Sequence, residues 1–193
     1  MKEKWQNQHD TEEAPWDYNE FDVDFKEELL SLSSKNKTVI DLGCGNGSQA
    51  HYIEKMGYDV TATDIVNVLK YDVKNFVIND ALDSKLTKTY DIIIDRGLVH
   101  NLFHLENRNK YFEMIGDITH EKSYILLKVM SPYETRFHPL THSGPYRFTE
   151  GQLVKIFSGF NFYLLKLKDT FFYSNIQPYL RGYFCVYKKE ESK

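Results

Sequence analysis

The stretch Val39-Ile40-Asp41-Leu42-Gly43-Cys44-Gly45-Asn46-Gly47 decides how the chain is read. Thr38 to Leu42 reads as a short buried strand, three alternating glycines then turn the chain tightly, and a helix from about Ser48 follows. Such a turn lets backbone N–H groups approach a bound group, and the helix N-terminus behind it favours a negative one, phosphate or carboxylate. Asp64 ends the next strand, where a doubly wound sheet puts an acid to accept hydrogen bonds from ribose hydroxyls. Strand, glycine turn, helix, strand and acid in that order predict a nucleotide-like cofactor. The dinucleotide fingerprint is only partly met, because Ser48 stands at its third glycine position and the extra glycine is Gly47. NAD therefore stays open as a rival on spacing alone.

Outward from this segment, strands and helices alternate. Strands are predicted at 38–42, 59–63, 76–78, 90–94 and 123–130, with a closing pair at 162–168 and 183–187. Helices are predicted over 20–34, 48–56 with Gly57 as C-terminal cap, 107–115, and from the capping residue Thr149 to about 158. Alternation of this kind predicts an α/β fold, a mostly parallel sheet with helices on both faces. Residues 1–19 are polar and acidic but hold Trp5 and Trp16, more than a disordered tail usually carries.

The chain has 193 residues, 41% hydrophobic and 27% charged, which fits one globular domain. A net charge of −4 argues against nucleic acid and anionic membranes as default partners. The most apolar stretch, 123–130, is far shorter than the roughly 20 residues of a membrane span. No apolar run follows the first charges, and Cys44 and Cys185 suggest no disulfide framework, so a cytoplasmic setting is expected. Aromatic residues, at 15%, can fill a core or line a pocket.

The form Asp41-x-Gly43-x-Gly45-x-Gly47 resembles motif I of the class I S-adenosylmethionine-dependent methyltransferases. The resemblance implies a Rossmann-like doubly wound sheet of seven strands with an antiparallel edge hairpin, and S-adenosylmethionine as cofactor. It implies cofactor contacts at Asp41, Gly43, Cys44 and Gly45, at Asp64 and Ile65, at Asp80 and Ala81, with Asp80 beside the adenine amino group, and at Asp95. A second resemblance spans most of the chain. Trp5, Ala14-Pro15-Trp16-Asp17, Asp95-Arg96-Gly97-Leu98-Val99, Arg108-Asn109-Lys110-Tyr111 and His142-Ser143-Gly144-Pro145-Tyr146 resemble the thiopurine/thiol S-methyltransferases and their small bacterial relatives. That likeness implies an N-terminal segment folded over the cofactor, Trp16 lining its site, and Arg96 beside the substrate. It divides one domain into a lid and helix (1–34), a cofactor half (38–130), and a substrate loop with closing strands (131–193). Residues 171–181 match no motif of the family.

Chemistry gives the candidates distinct roles. Arg96 stays protonated, so it would favour an anionic nucleophile as an electrostatic partner, or else pair with Asp95 or another carboxylate. His100 reads as a general base or as the polar start of a helix. Tyr133, Arg136 and Tyr146, with Phe137 and Arg147, read as a substrate lid or as a packed surface loop. Cys44 reads as a small side chain under the glycine loop. The pairs His100/His104 and His138/His142 lack the pattern of a metal site, and no metal is expected. Lys188, Lys189 and Lys193 read as a solvated end. The expected activity is methyl transfer to a small-molecule acceptor, a thiol or similar soft nucleophile. Transfer to oxygen, nitrogen or a peptide carboxylate, a non-catalytic cofactor-binding module, and an NAD-dependent oxidoreductase are the alternatives. Oligomeric state is left open.

Overall fold

Runs such as Ile92-Ile93-Ile94 and Ile125-Leu126-Leu127 are apolar on both faces, and both faces are covered. The computed structural model describes residues 2–10, 14, 16–32, 37–136, 145–175 and 177–190. Phe137, His138, His142 and Lys193 lie outside the described residues. Strands β1 (Thr38–Leu42), β2 (Asp59–Asp64), β3 (Phe76–Ile78), β4 (Tyr90–Arg96), β5 (Thr119–Met130), β6 (Phe162–Phe172) and β7 (Leu180–Lys189) form one sheet in the order β3-β2-β1-β4-β5-β7-β6. The strands from β3 to β5 run parallel, and β7 is antiparallel to both β5 and β6. This is the mostly parallel, Rossmann-like sheet with an antiparallel edge pair that was expected.

Helices α1 (Lys2–Asp10), α2 (Val23–Ser31), α3 (Ser48–Lys55), α4 (Leu105–Asp117) and α5 (Glu150–Ser158) surround the sheet, and a short 3-10 helix spans Val99–Asn101. Alternation along the strands divides the core. Ile40, Leu42, Ile93, Ile125 and Leu127 pack with Tyr111 and Ile115 of α4 and Phe157 of α5. Val39, Ile92, Ile94 and Leu126 pack on the other face with Phe25 and Leu29 of α2 and Ile53 of α3. The chain leaves β1 toward β2 on one side, while β4 lies on the other, which opens a crevice at the strands' C-terminal ends.

Most predicted elements hold within a few residues. The helix placed over 20–34 is shorter, because Asp22 caps it by accepting from the Asp24 amide and Leu32 ends it. Thr149 and Gln152 form the reciprocal capping box of α5. The nine-residue α1 was not foreseen; it buries none of its residues, so no apolar stripe marks it. Strands β6 and β7 extend to Phe172 and from Leu180, closing most of the gap left at 169–182.

Candidate active site

The glycine turn opens directly from β1. Gly43, Gly45 and Gly47 all take left-handed backbone, with φ of 68°, 53° and 83°. A β-carbon on Gly45 would meet no protein atom within 4 Å, so the loop leaves open space there at the wall of a cavity. Asn46 replaces a side-chain cap at Gly47, its Oδ1 accepting from the Ser48 amide at 3.0 Å. Asp64 ties the turn from across the crevice: Oδ2 accepts from the Gly45 amide at 2.9 Å and Oδ1 from the Val66 amide at 3.3 Å. Burial pushes its carboxyl pKa up against those bonds. Cys44 is buried, its backbone bonded to Thr63 O, and burial pushes its thiol pKa far up, so it is inert packing under the loop.

Asp41 also lines the cavity, and its Oδ2 is buried without a partner. Burial, then the neighbouring Asp64 and Asp95, push its pKa up to about 7. Asn79 is the second orphan of the wall. Its Oδ1 accepts from Ser84 and from the Lys85 amide, both at 3.2 Å, which fixes the amide and leaves Nδ2 unpaired. Asp80, Ala81 and Ile65 line the same cavity, Asp80 accepting from the Leu82 amide at 2.9 Å. A buried acceptor, a buried donor, an open glycine turn and a carboxylate fit a ligand with a cationic end, a ring acceptor and sugar hydroxyls. The residues present thus fit S-adenosylmethionine.

The N-terminal segment completes this wall. Trp5 and His9 of α1 and Trp16 line the cavity, with ring centroids 5.6 Å apart for Trp5–Trp16 and 5.8 Å for His9–Trp16. Hydrogen bonds stitch the segment to α3 and its preceding loop: Ser48 Oγ donates to Tyr18 O at 2.6 Å, and Gln49 Nε2 to Glu20 O at 3.0 Å. His9, Asn46 and Asn79 were not assigned to the site from sequence, and Trp5 entered only as part of the resemblance; a tryptophan in a polar stretch was the visible signal.

At the other end stand Arg96, His100, Leu98 and Phe172. Arg96 pairs with Asp22 rather than Asp95, Nε donating to Oδ2 at 2.9 Å, and Nη2 donates to Tyr173 O. Its guanidinium lies 5.5 Å from the Tyr18 ring and 5.7 Å from the Phe172 ring. His100 is buried, and burial followed by the Arg96 charge pushes its pKa down to about 3. The Met130 amide donates to its Nδ1 at 3.1 Å, so the neutral ring carries its proton on Nε2. Such an imidazole has no free lone pair for a proton, which removes His100 as general base. A β-carbon on Gly97, at φ 93°, would sit 2.8 Å from that Nε2, so the close approach requires glycine.

Four further expectations change. Asp95 is fully buried and not in the cavity wall; it accepts from the Leu98 and Val99 amides at 2.6 and 3.0 Å and from Tyr111 Oη at 2.7 Å, holding the 3-10 turn. Tyr133, Arg136 and Tyr146 do not reach the cavity either. Tyr133 is exposed against Tyr183. Arg136 grips Glu134 through Nε and Nη2 at 2.8 and 2.7 Å and donates to Pro178 O and Tyr179 O, a clamp between two loops. Tyr146 stacks under the Arg108 guanidinium at 4.1 Å and accepts from Gln152. Among the described residues no three His, Cys, Asp or Glu gather to hold a metal ion, and no helix is long and apolar enough to cross a membrane.

Comparison with known proteins agrees with this geometry. An uncharacterized methyltransferase of Schizosaccharomyces pombe is 25% identical over 114 residues, 53% of this chain and 78% of the relative. A putative methyltransferase of Invertebrate iridescent virus 6 is 31% identical over 111 residues, 52% of this chain and 40% of the viral protein. In fold, the 1,6-didemethyltoxoflavin-N1-methyltransferase of Burkholderia thailandensis superposes with a TM-score of 0.75 at 15% identity, covering 98% of this chain and 87% of that one. The methyltransferase domain family matches residues 16–167, most of the chain. The chain belongs to that family and is an S-adenosylmethionine-dependent methyltransferase.

Proposed function

We propose that the enzyme methylates a small-molecule thiol, or a similar soft nucleophile that arrives as an anion, as the resemblance to the thiopurine/thiol S-methyltransferases implies. The observation that carries this reading is Arg96, a fixed cation in the cavity wall between two aromatic rings, whose carboxylate partner Asp22 does not itself line the cavity. The neutral His100 has its lone pair engaged, and the Tyr18 phenol, partly buried and beside Glu20, is pushed up to about 12. An acceptor there must ionise largely unaided. A thiol, with a pKa near 8.5, does so far more readily than an alcohol, and Arg96 favours its anion.

When bound, the cofactor supplies an electrophilic methyl on a sulfonium sulfur, which a nucleophile must approach in line from about 3 Å. The chain's own residues do the holding. Asp64 would accept from the ribose hydroxyls, Asp41 from the aminium group, and Asp80 with Asn79 would meet the adenine. Trp16 and Trp5 cover the opening, and the rings of Tyr18 and Phe172 keep water from the anion at Arg96. The fold neighbour from Burkholderia thailandensis was solved with 1,6-didemethyltoxoflavin and S-adenosylhomocysteine bound. The test is methyl transfer across aromatic thiols, phenols, amines and carboxylates, with Arg96→Lys alongside. Thiols should turn over fastest, and Arg96→Lys, which keeps the charge but loses the planar fork, should lower kcat on thiols while S-adenosylhomocysteine binds as before. Faster turnover of a phenol, amine or carboxylate overturns the thiol reading.

A further inference from the structure

Arg96 on β4 and Lys128 on β5 are register partners, and Lys128 and Lys168 are each in register with Phe184 of β7. Residues in register share a face of the sheet. Three cations and one ring therefore form a row across β4, β5, β7 and β6. Like charges side by side resist burial, yet Lys128 is fully buried and the Arg96 side chain is only 12% exposed. The first turn of α2 supplies the answering charge. Asp22, with no exposed side-chain surface, places Oδ1 and Oδ2 at 2.7 and 2.8 Å from Lys128 Nζ, and Oδ2 also accepts from Arg96 Nε at 2.9 Å. Asp24 places Oδ2 at 2.7 Å from Lys128 Nζ and Oδ1 at 2.7 Å from Lys168 Nζ, and accepts from Thr170.

Asp22 does not line the cavity; Arg96 does. The Arg96 plane is held on one edge by Asp22 and on the other by Tyr173 O, and Nη1 has no protein acceptor among the described residues. A long side chain with many rotamers is thereby fixed before any acceptor arrives. We propose that Asp22, itself gripped by Lys128, is the positioning residue that sets the Arg96 guanidinium against the methyl acceptor. The inference rests on Arg96 standing beside the acceptor. It adds that the pose of Arg96 depends on an acid 74 residues earlier in the chain, at the N-cap of α2.

The experiment compares wild type, Asp22→Asn, Asp22→Glu and the double variant Asp22→Asn/Lys128→Met. The double variant removes the buried acid together with one of its two cations, so it costs the fold less than a single change that leaves a buried charge unpaired. Three readouts are taken: the Kd of S-adenosylhomocysteine by calorimetry, kcat and KM with thiophenol as acceptor, and the arginine Nε–H signal of Arg96 by nitrogen-15 NMR. With Asp22→Asn and the double variant, kcat/KM for thiophenol should fall by about 30-fold or more. The Kd should move less than about threefold, and the Arg96 signal should shift and exchange rapidly with water. Asp22→Glu should restore part of both losses. An unchanged Arg96 signal, or unchanged kcat/KM in a wild type that methylates thiophenol, overturns the proposal. Should wild type not use thiophenol while the Arg96 signal still collapses in the variants, the positioning role stands and the thiol reading falls.

Discussion

Asp41 is a carboxylate with one buried oxygen unpaired and a pKa pushed up to about 7, so it is partly protonated near neutrality. An aminium group beside it would favour the ionised form, and binding would then release that proton. S-Adenosylhomocysteine binding at pH 7 is accordingly expected to release up to about half a proton, seen as heats that differ between buffers of different ionisation enthalpy, and to tighten as pH rises from 5.5 to 7. Asp41→Asn should abolish both effects. Equal heats in all buffers for the wild type would place the aminium elsewhere. Asp64 differs: both its oxygens already accept from backbone amides, so Asp64→Ala loosens the glycine turn and removes the ribose acceptor together. Loss of about 1.5–3 kcal/mol corresponds to roughly 10- to 150-fold weaker binding of S-adenosylhomocysteine. Unchanged affinity in the folded variant would take Asp64 out of the ribose role. The positions of Asp41 and Asp64 in the cavity wall were legible because a strand-end acid beside a glycine turn is set by local chain geometry. The placements of Asn79 and Asp22 were not, since each depends on partners that only the folded chain brings near.

Elements were more legible than side chains. Strands β1 to β5 and helices α3 to α5 announced themselves by apolar runs, caps and the glycine turn, whereas α1 had no apolar stripe to show. Its signal is functional: Trp5 and His9 are its contribution to the cavity wall. A nine-residue helix with nothing buried is marginal in isolation and is held by ring contacts such as Trp5–Trp16. Removing residues 1–10 should therefore leave the melting temperature of the cofactor-free protein within about 2 °C of wild type. The same deletion should weaken S-adenosylhomocysteine binding by about tenfold, from the loss of roughly 1–2 kcal/mol of aromatic cover. Calorimetry with a thermal melt on the truncated chain separates the two effects; wild-type affinity would show that α1 covers nothing. Of the two readings of the loop after β5, substrate lid or packed surface, the described residues Tyr133, Arg136 and Tyr146 fit the second. Arg136 looked free to reach a substrate, but Glu134 two residues away takes its fork, and the Arg136 guanidinium holds that carboxyl down at about 2.

Across the whole molecule, buried titratable groups pull in opposite directions, and their signs can be separated by pH. Asp41 and Asp95 are raised to about 7 and about 6, chiefly by burial. The unfolded chain ionises them near 4, so it binds fewer protons than the fold between there and their folded values, and stability falls as pH rises through that window. His100 is lowered to about 3 from the ordinary 6.5, chiefly by burial. Between those values the unfolded chain takes up a proton that the folded ring refuses, so stability falls as pH drops from 6.5. The two trends oppose each other in a simple acid titration of the wild type, but a difference between variants isolates one of them. His100→Gln keeps a polar side chain that can accept from the Met130 amide and cannot titrate. Wild type and His100→Gln should therefore part company below pH 6.5, wild type losing up to about 1.4 kcal/mol more per pH unit. Urea unfolding at pH 6.5, 5.5 and 4.5 measures this, and above pH 7.5 the gap between the two should be constant. Parallel curves down to pH 4.5 would mean that the ring protonates freely in the fold. The Met130 amide would then lose its acceptor, and His100 would again be available to take a proton from the methyl acceptor.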